Sequence, residues 1–371
     1  MTKLLYITNI PAPYTVEFFN ELGKSFDLTV VFEGINSAER DRSWTVFDAA
    51  NFKYEIIGKS NVSQLRLPTG ITRVLERDSY DLYIIGNYST PTGMLSILWL
   101  RRNKLPYAIH ADGGLISNDS FFRYQIKRFF IKDANLYFSS GKKTTEYFVY
   151  YGAKKSKIYE YPFSSIHDDR ISSIQDQKYY RNKLCLSSED KIIVSVGQII
   201  PRKGFDTLIN AVSLLPHDVK LYIIGGNATD NLKELIADLQ LHNIEFIPFL
   251  PFEKTLEYMA AADVFALMTR EDIWGLVINE AMSMGTPIVS TNKCVAAIEM
   301  IENGVNGYIV EYDDYSLAAN RINSLLYNEA LCRQIRKNNV VKAKKYTIET
   351  MKEAYTRIIN GFMGDREENE E

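Results

Sequence analysis

The sequence holds little cysteine, little histidine and no long hydrophobic run, and each shortage removes a class of protein. Three cysteines, Cys185, Cys294 and Cys332, lie scattered through 371 residues without metal-ligand spacing. An odd, dispersed set is no disulfide framework and fits a reducing cytoplasm. The four histidines, His110, His167, His217 and His242, are too far apart to spell a zinc motif. No stretch approaches the roughly 18 apolar residues of a membrane span. No leader is expected either, because Leu4-Leu5-Tyr6-Ile7 is a short run followed by the turn-forming Asn9-Ile10-Pro11. Charge of one sign is also lacking: the net value is −3, so nothing global points to nucleic acid. No G-x-G-x-x-G follows the apolar runs at 4–8 or 192–196, which weighs against a nicotinamide dehydrogenase.

What is present is an ordinary globular composition, long enough for two domains. Short apolar runs recur at 4–8, 28–32, 82–85, 107–110 and 136–139, and again at 192–196, 220–224, 244–247, 264–267 and 288–290. Helical patterns at 15–23, 204–215, 232–241 and 252–262 fall between them. This alternation predicts parallel sheets covered by helices on both faces, and the series occurs twice. A linker is expected around 161–190, where Pro162, Ser164, Ser165, Asp168, Asp169 and Arg170 gather. The pattern turns helical from 310 to 362, and 365–371, with five acids and one arginine, reads as a disordered acidic tail.

Two segments carry chemistry. In 269–287 an apolar strand runs into Glu271-Asp272-Ile273-Trp274, and a helix then starts near Gly275 and stops at Gly285, with Pro287 just beyond. Free N–H groups at Gly275, Leu276 and Val277 would suit a phosphate at a strand's carboxyl end. Glu280, one turn in, suits a diol such as a ribose, although a capped helix with a surface carboxylate would show the same residues. In 194–208 a strand is followed by Gly197, Gln198 and the adjacent cations Arg202 and Lys203, which can neutralise a diphosphate or stand solvated in a loop.

Together these segments resemble the C-terminal half of family 4 of the retaining glycosyltransferases, which have the GT-B fold. The family's first motif reads approximately G-R-L-x-x-x-K-G; Lys203-Gly204 match it, Gln198 stands at the Arg position, and Arg202 is the candidate to replace that charge. The second motif, E-x7-E followed by A-M-A-x-G-x-P, is met by Glu280, Ala281-Met282, Gly285 and Pro287, with Asp272 as the first acid and Glu271 beside it. The resemblance implies that Lys203 holds the donor diphosphate, that Glu280 meets the ribose, and that Asp272 meets the donor sugar near the reacting carbon. It implies two Rossmann-like domains facing a central cleft. The acceptor-side domain is expected at 1–165 and the nucleotide-sugar domain at 185–344, with a terminal helix around 345–364 packing back on the first.

The first half is less specific. Pro11 and Pro13, with Tyr14, stiffen the loop where the family commonly has glycines. Pro106 through Gly114 resembles the family strand that ends in a His-bearing loop, with Asp112 at the usual histidine position and His110 two residues earlier. In an extended strand His110 and Asp112 face the same side. Asp112 is thus a candidate to orient the donor sugar or an acceptor hydroxyl, and Gly113 follows in the same acceptor-side loop; an Asp that merely turns the chain is the competing reading.

Segments 99–104 and 121–132 interleave bulky apolar residues with seven cations. That mix suits an anionic membrane interface; a helix whose phenylalanines face the core and whose cations face water is the reading that helical spacing favours.

The functional expectation is a metal-independent retaining transfer from a nucleotide-sugar, a UDP-sugar foremost, to a hydroxyl acceptor such as a sugar or lipid-linked glycan. The catalytic candidates are Asp112, Asp272 and Lys203. No cofactor is expected, polysaccharide or glycolipid biosynthesis is the setting, and the place is the cytoplasm or the inner membrane face. A nucleotide-sugar epimerase of similar architecture and a donor-binding subunit without turnover remain as alternatives.

Overall fold

The computed structural model describes residues 1–35, 47–58, 70–171 and 177–370. Two compact units divide them: residues 1–165 with 348–371, and residues 166–347.

Unit 1 runs β1 (Lys3–Thr8), α1 (Pro13–Gly23), β2 (Asp27–Phe32), β3 (Lys53–Ile56), α2 (Ile71–Arg77), β4 (Leu82–Ile85), α3 (Pro91–Arg102), β5 (Tyr107–Ala111), α4 (Phe121–Ile131), β6 (Leu136–Ser139), α5 (Lys142–Tyr150) and β7 (Ile158–Glu160). Its seven parallel strands lie in the order β3-β2-β1-β4-β5-β6-β7. The inner strands are nearly continuous apolar runs because helices cover both faces, as Leu4, Leu5, Ile7, Ile84 and Ile85 show by their complete burial. Pro13 and Pro91 open α1 and α3 at a position where a missing N–H costs nothing.

Unit 2 begins with α6 (Gln177–Lys183) and continues β8 (Lys191–Val196), α7 (Phe205–Val212), β9 (Val219–Ile224), α8 (Asp230–Asp238), β10 (Ile244–Ile247), α9 (Phe252–Ala261), β11 (Val264–Leu267), α10 (Leu276–Ser283), β12 (Ile288–Thr291), α11 (Val295–Met300), β13 (Gly307–Val310), α12 (Tyr315–Tyr327) and α13 (Glu329–Ala343). Its six parallel strands take the order β10-β9-β8-β11-β12-β13. In each sheet the winding reverses once, between β1 and β4 and between β8 and β11, and a doubly wound sheet opens a crevice at such a point.

The last helix, α14 (Ile348–Glu370), belongs to unit 1 and packs along α1. Ile348, Met351, Tyr355 and Ile359 recur at three- and four-residue spacing and are all buried, so this stripe seats the helix. The helix continues to Glu370, so the acidic end is its last turns rather than the disordered tail that composition implied.

The expected linker is also more ordered than its composition suggested. The chain leaves unit 1 at Ser165, yet Tyr161, Phe163, Ser164 and Ile166 are buried. Further on, the buried Arg181 of α6 pairs with Asp263 (Nη2 to Oδ2, 2.7 Å) and donates from Nε to the Ala261 carbonyl at 3.0 Å. Residues 172–176 of that stretch, and Glu371, lie outside the described residues.

Candidate active site

In unit 2 the loops that leave β8 and β11 meet at the reversal point, because the two strands are hydrogen-bonded neighbours. They are tied by hydrogen bonds to backbone carbonyls. Arg270 N donates to the Arg202 carbonyl at 2.8 Å, the Thr269 hydroxyl to the same carbonyl at 3.0 Å, and Arg202 Nη1 to the Glu271 carbonyl at 2.7 Å. Gly204 sits at φ +66°, where a Cβ would fall 1.9 Å from the Met268 carbonyl oxygen, so this junction needs glycine. Arg270 closes the base of the junction with a two-pronged contact to Asp206 at 2.7 and 3.0 Å and a third bond to Asp313 at 2.8 Å. Burial pushes the Asp206 carboxyl up, but the hydrogen bond and charge of Arg270 and two backbone hydrogen bonds together outweigh it and hold the group below its ordinary value.

Upon that frame Lys203 and Asp272 meet. Lys203 Nζ is 2.5 Å from Asp272 Oδ2, both side chains nearly buried, and Arg202 Nη1 stands 3.8 Å from the other carboxylate oxygen. Three residues on, Gly275 caps α10 at φ +100°, and a Cβ there would lie 2.7 Å from Cys294 Sγ. The first N–H groups of a helix have no partner within it, so Gly275, Leu276 and Val277 present a positive end beside the ion pair. Trp274 is buried with its indole N–H on Asn279 Oδ1 at 2.9 Å, so its side chain holds the helix start from below. Glu280 is only 9% exposed, which removes the surface-carboxylate reading. Gln198 and Glu271 lie on the two loops, less deeply set than the ion pair. Burial, followed by the nearby Asp272 charge, pushes the Cys294 thiol up to about 12, so it stays neutral.

Unit 1 has a small open pocket at its own reversal point, lined by Tyr6, Tyr14, Gly86, His110, Asp112 and Phe163. His110 Nε2 is 2.5 Å from Asp112 Oδ1, so the two do face one side of β5 and the strand's end. A carboxylate only accepts, so Nε2 carries the proton. The opposite ring nitrogen, Nδ1, bonds the hydroxyl of Tyr355 from α14, and the Tyr161 hydroxyl approaches Nε2 at 3.1 Å and Asp112 Oδ1 at 3.5 Å. Tyr355 is itself fixed by stacking on Phe138, rings 4.1 Å apart and 3° from parallel. Burial, then the neighbouring Tyr161 and Asp112, push the Tyr355 phenol well above its usual value, and the Tyr6 and Tyr161 phenols rise chiefly by burial. Asp112 remains partly exposed, Gly113 follows it in the loop, and Tyr14 packs edge-on to Phe163 with centroids 5.9 Å apart, one residue after Pro13 opens α1. Tyr161 and Tyr355 were not marked by any local pattern. Tyr161 fell in the expected linker, and Tyr355 lies 245 residues from the histidine it touches.

Two doubly wound parallel α/β units of this kind define the GT-B class of fold. The Anabaena protein HepE, solved with UDP, superposes with a TM-score of 0.81 at 18% identity, covering 97% of this chain and all of that one. Residues 176–341 match the family of glycosyl transferases group 1. The match covers most of unit 2. Among curated relatives, the lipopolysaccharide core biosynthesis glycosyltransferase LpsE of Rhizobium meliloti is 30% identical over 182 residues, 48% of this chain and 52% of that protein. The capsular polysaccharide biosynthesis glycosyltransferase CapM of Staphylococcus aureus is 26% identical over 228 residues, 58% of each chain. The match thus spans little more than half the length of these relatives.

Proposed function

We propose that this chain is a retaining glycosyltransferase that moves a sugar from a UDP-sugar to a hydroxyl of a glycan or lipid-linked glycan. The observation that carries the reading is the junction of Lys203, Arg202, Asp272 and the start of α10 at the reversal point of the second sheet. When the sugar–phosphate bond breaks, negative charge grows on the leaving diphosphate. Lys203, Arg202 and the α10 N–H groups are preorganised to stabilise that charge without rearranging solvent. They make a metal dispensable in this role. Asp272 favours the positive charge that develops on the sugar ring, and Glu280 binds the ribose. No side chain is assigned as a covalent nucleophile; the leaving phosphate takes the acceptor proton.

Unit 1 is read as the acceptor half. Its partly exposed Asp112, held by His110 and Tyr161, accepts a hydrogen bond from a sugar hydroxyl in the pocket. HepE has been solved with UDP-glucose as well as UDP, and LpsE and CapM are named for lipopolysaccharide core and capsular polysaccharide synthesis, which supports a UDP-hexose donor and a surface-glycan acceptor. The reading puts the enzyme in the cytoplasm with its acceptor at the inner membrane face. No described helix is long and apolar enough to cross a membrane, so contact with lipid would be peripheral.

The test is a thermal-shift screen of nucleotides and nucleotide-sugars, followed by assays of UDP release with and without glycan acceptors. Stabilisation by UDP together with acceptor-dependent UDP release supports the reading. Interconversion of the donor's sugar without net UDP release identifies an epimerase, and binding without any transfer or hydrolysis identifies a donor-binding subunit.

A further inference from the structure

Helix α4 leaves large apolar side chains in water. Phe122, Ile126 and Phe129 recur at i, i+4 and i+7, so they form one stripe, and they are 75%, 38% and 47% exposed. Phe121 beside them is 78% exposed, and Ile131 alone among the eleven residues of the helix is buried. The expectation that phenylalanines face the core and cations face water is therefore reversed in part. Tyr124, Phe130 and Ile131 pack on the core, and Lys127 shares that inward face, its Nζ 2.8 Å from Asp119 Oδ2 and 3.2 Å from the Tyr151 hydroxyl. Asp119 lies before the helix and its carboxyl, also bonded by Tyr151, is only 2% exposed, so Lys127 serves the fold and is no free surface charge.

The remaining cations frame the stripe. At 100° per residue Arg123 and Lys132 fall on opposite flanks of the stripe, and Arg128 lies further round on the Lys132 side, exposed, with its guanidinium beside Gly152. Arg101 of α3 donates to the Phe130 carbonyl at 3.1 Å and places its guanidinium 5.2 Å from the Phe129 ring, which brings Arg102 and Lys104 to the same end. Arg102, Lys104, Arg123 and Arg128 form no ion pair among the described residues, whereas the neighbouring acids are spent, Asp119 on Lys127 and Asp133 on Arg101 and Lys132.

We infer that α4 is a docking surface for an anionic lipid bilayer. The helix lies flat, with Phe122, Ile126 and Phe129 at the boundary of headgroups and acyl chains and Arg102, Lys104, Arg123 and Arg128 against lipid phosphates. Charge selects this occupant over a second copy of the chain, whose own cations would face these. The inference uses only unit 1 and is independent of the donor chemistry, so its failure leaves that proposal standing.

The experiment is sedimentation of the full chain with vesicles of phosphatidylcholine alone and of phosphatidylcholine mixed with phosphatidylglycerol. Wild type is expected to bind the mixed vesicles, less so as salt rises. Phe122→Ser/Phe129→Ser and Arg123→Gln/Arg128→Gln should each bind about tenfold more weakly or worse, with unchanged thermal unfolding because these side chains are exposed. Should either double variant fold poorly, Phe122→Trp is the second probe, and its emission should shift to the blue and be quenched by brominated lipid. Equal sedimentation of wild type and a folded Phe122→Ser/Phe129→Ser variant overturns the inference, as does emission from the Phe122→Trp variant that brominated lipid leaves unquenched. So does self-association that depends on Phe122 and Phe129 without vesicle binding, which would give the face to a second copy.

Discussion

Lys203 and Asp272, 69 residues apart in sequence, form a nearly buried ion pair with Nζ 2.5 Å from Oδ2. In the proposed reaction they attend opposite ends of the breaking bond, Lys203 the diphosphate and Asp272 the sugar. Each neutralises the other in this structure, so an arriving diphosphate competes with Asp272 for the lysine. That competition sets the sign of the first prediction.

Asp272→Asn should slow single turnover by roughly tenfold to a hundredfold, the weight of one hydrogen bond to a charged group at about 1.5–3 kcal/mol. UDP affinity should hold or rise, because Lys203 is released to the diphosphate. Calorimetric titration of UDP beside a rapid-quench rate checks both, and loss of UDP binding in this variant would reverse the assigned roles. Lys203→Ala should weaken UDP binding and also lower the unfolding temperature, since the partner carboxylate is stranded in a nearly buried site.

Glu280→Gln should raise KM for the donor by roughly tenfold to a hundredfold and change kcat less, because a ribose contact is the same before and during the reaction. A fall in kcat with KM untouched would place Glu280 at the reacting carbon instead.

Donor binding and transfer should survive EDTA, because the positive charge comes from Lys203, Arg202 and the α10 N–H groups. Activity that disappears on chelation and returns with Mg²⁺ or Mn²⁺ would show that these groups do not suffice.

Tyr355→Phe keeps the ring on Phe138 and removes only the hydroxyl at His110 Nδ1. Loss of that buried partner should cost about 1–3 kcal/mol of stability and let His110 and Asp112 swing. If Asp112 works on the acceptor, kcat and acceptor KM should suffer severalfold while UDP affinity stays at the wild-type value. A stability loss with unchanged acceptor kinetics would make the network purely structural.

Glu33 offers a pH prediction. Its burial pushes the carboxyl above the ordinary glutamate range, against the hydrogen bonds donated by Thr90, Thr92 and Asn87. The folded state thus binds this proton more tightly than the unfolded state does. Its contribution is largest below the ordinary glutamate value and declines as pH rises through the raised one. Glu33→Gln should remove that decline, gaining on wild type in urea midpoint as pH rises from below the ordinary glutamate value. A wild-type midpoint no more pH-dependent than the variant's would show the burial penalty to be fully offset.

Much of this was legible in the residues. The ten apolar runs all became strands, and nine of them, all but the edge strand β10, are inner strands of doubly wound sheets, which are buried on both faces and cannot be confused with polar segments. The three strands that composition did not reveal are β3, β7 and β13, and all three are edges of the sheets. Lys53-Tyr54-Glu55-Ile56 of β3 is half polar for that reason. The 197–204 and 271–280 segments announced themselves because glycine, cations and acids at a strand's end have local causes: a left-handed turn, a helix start, a bend that only glycine permits.

Local pattern determined the two doubly wound units, the strand ends where chemistry gathers, and the residue types suited to a diphosphate and a diol, since each depends on near neighbours in the chain. Tertiary structure alone decided that Lys203 sits on Asp272, that Glu280 is buried, that Tyr355 and Tyr161 hold His110 and Asp112, and that Phe122 and Phe129 face outward. Those facts turn on which helix lies over which strand. Helical spacing states that side chains share a face, while the neighbour packed against the other side settles whether that face meets core or water. On α4 Lys127 found Asp119 and Tyr151 on the inner side, and Phe121, Phe122 and Phe129 were left to the surface.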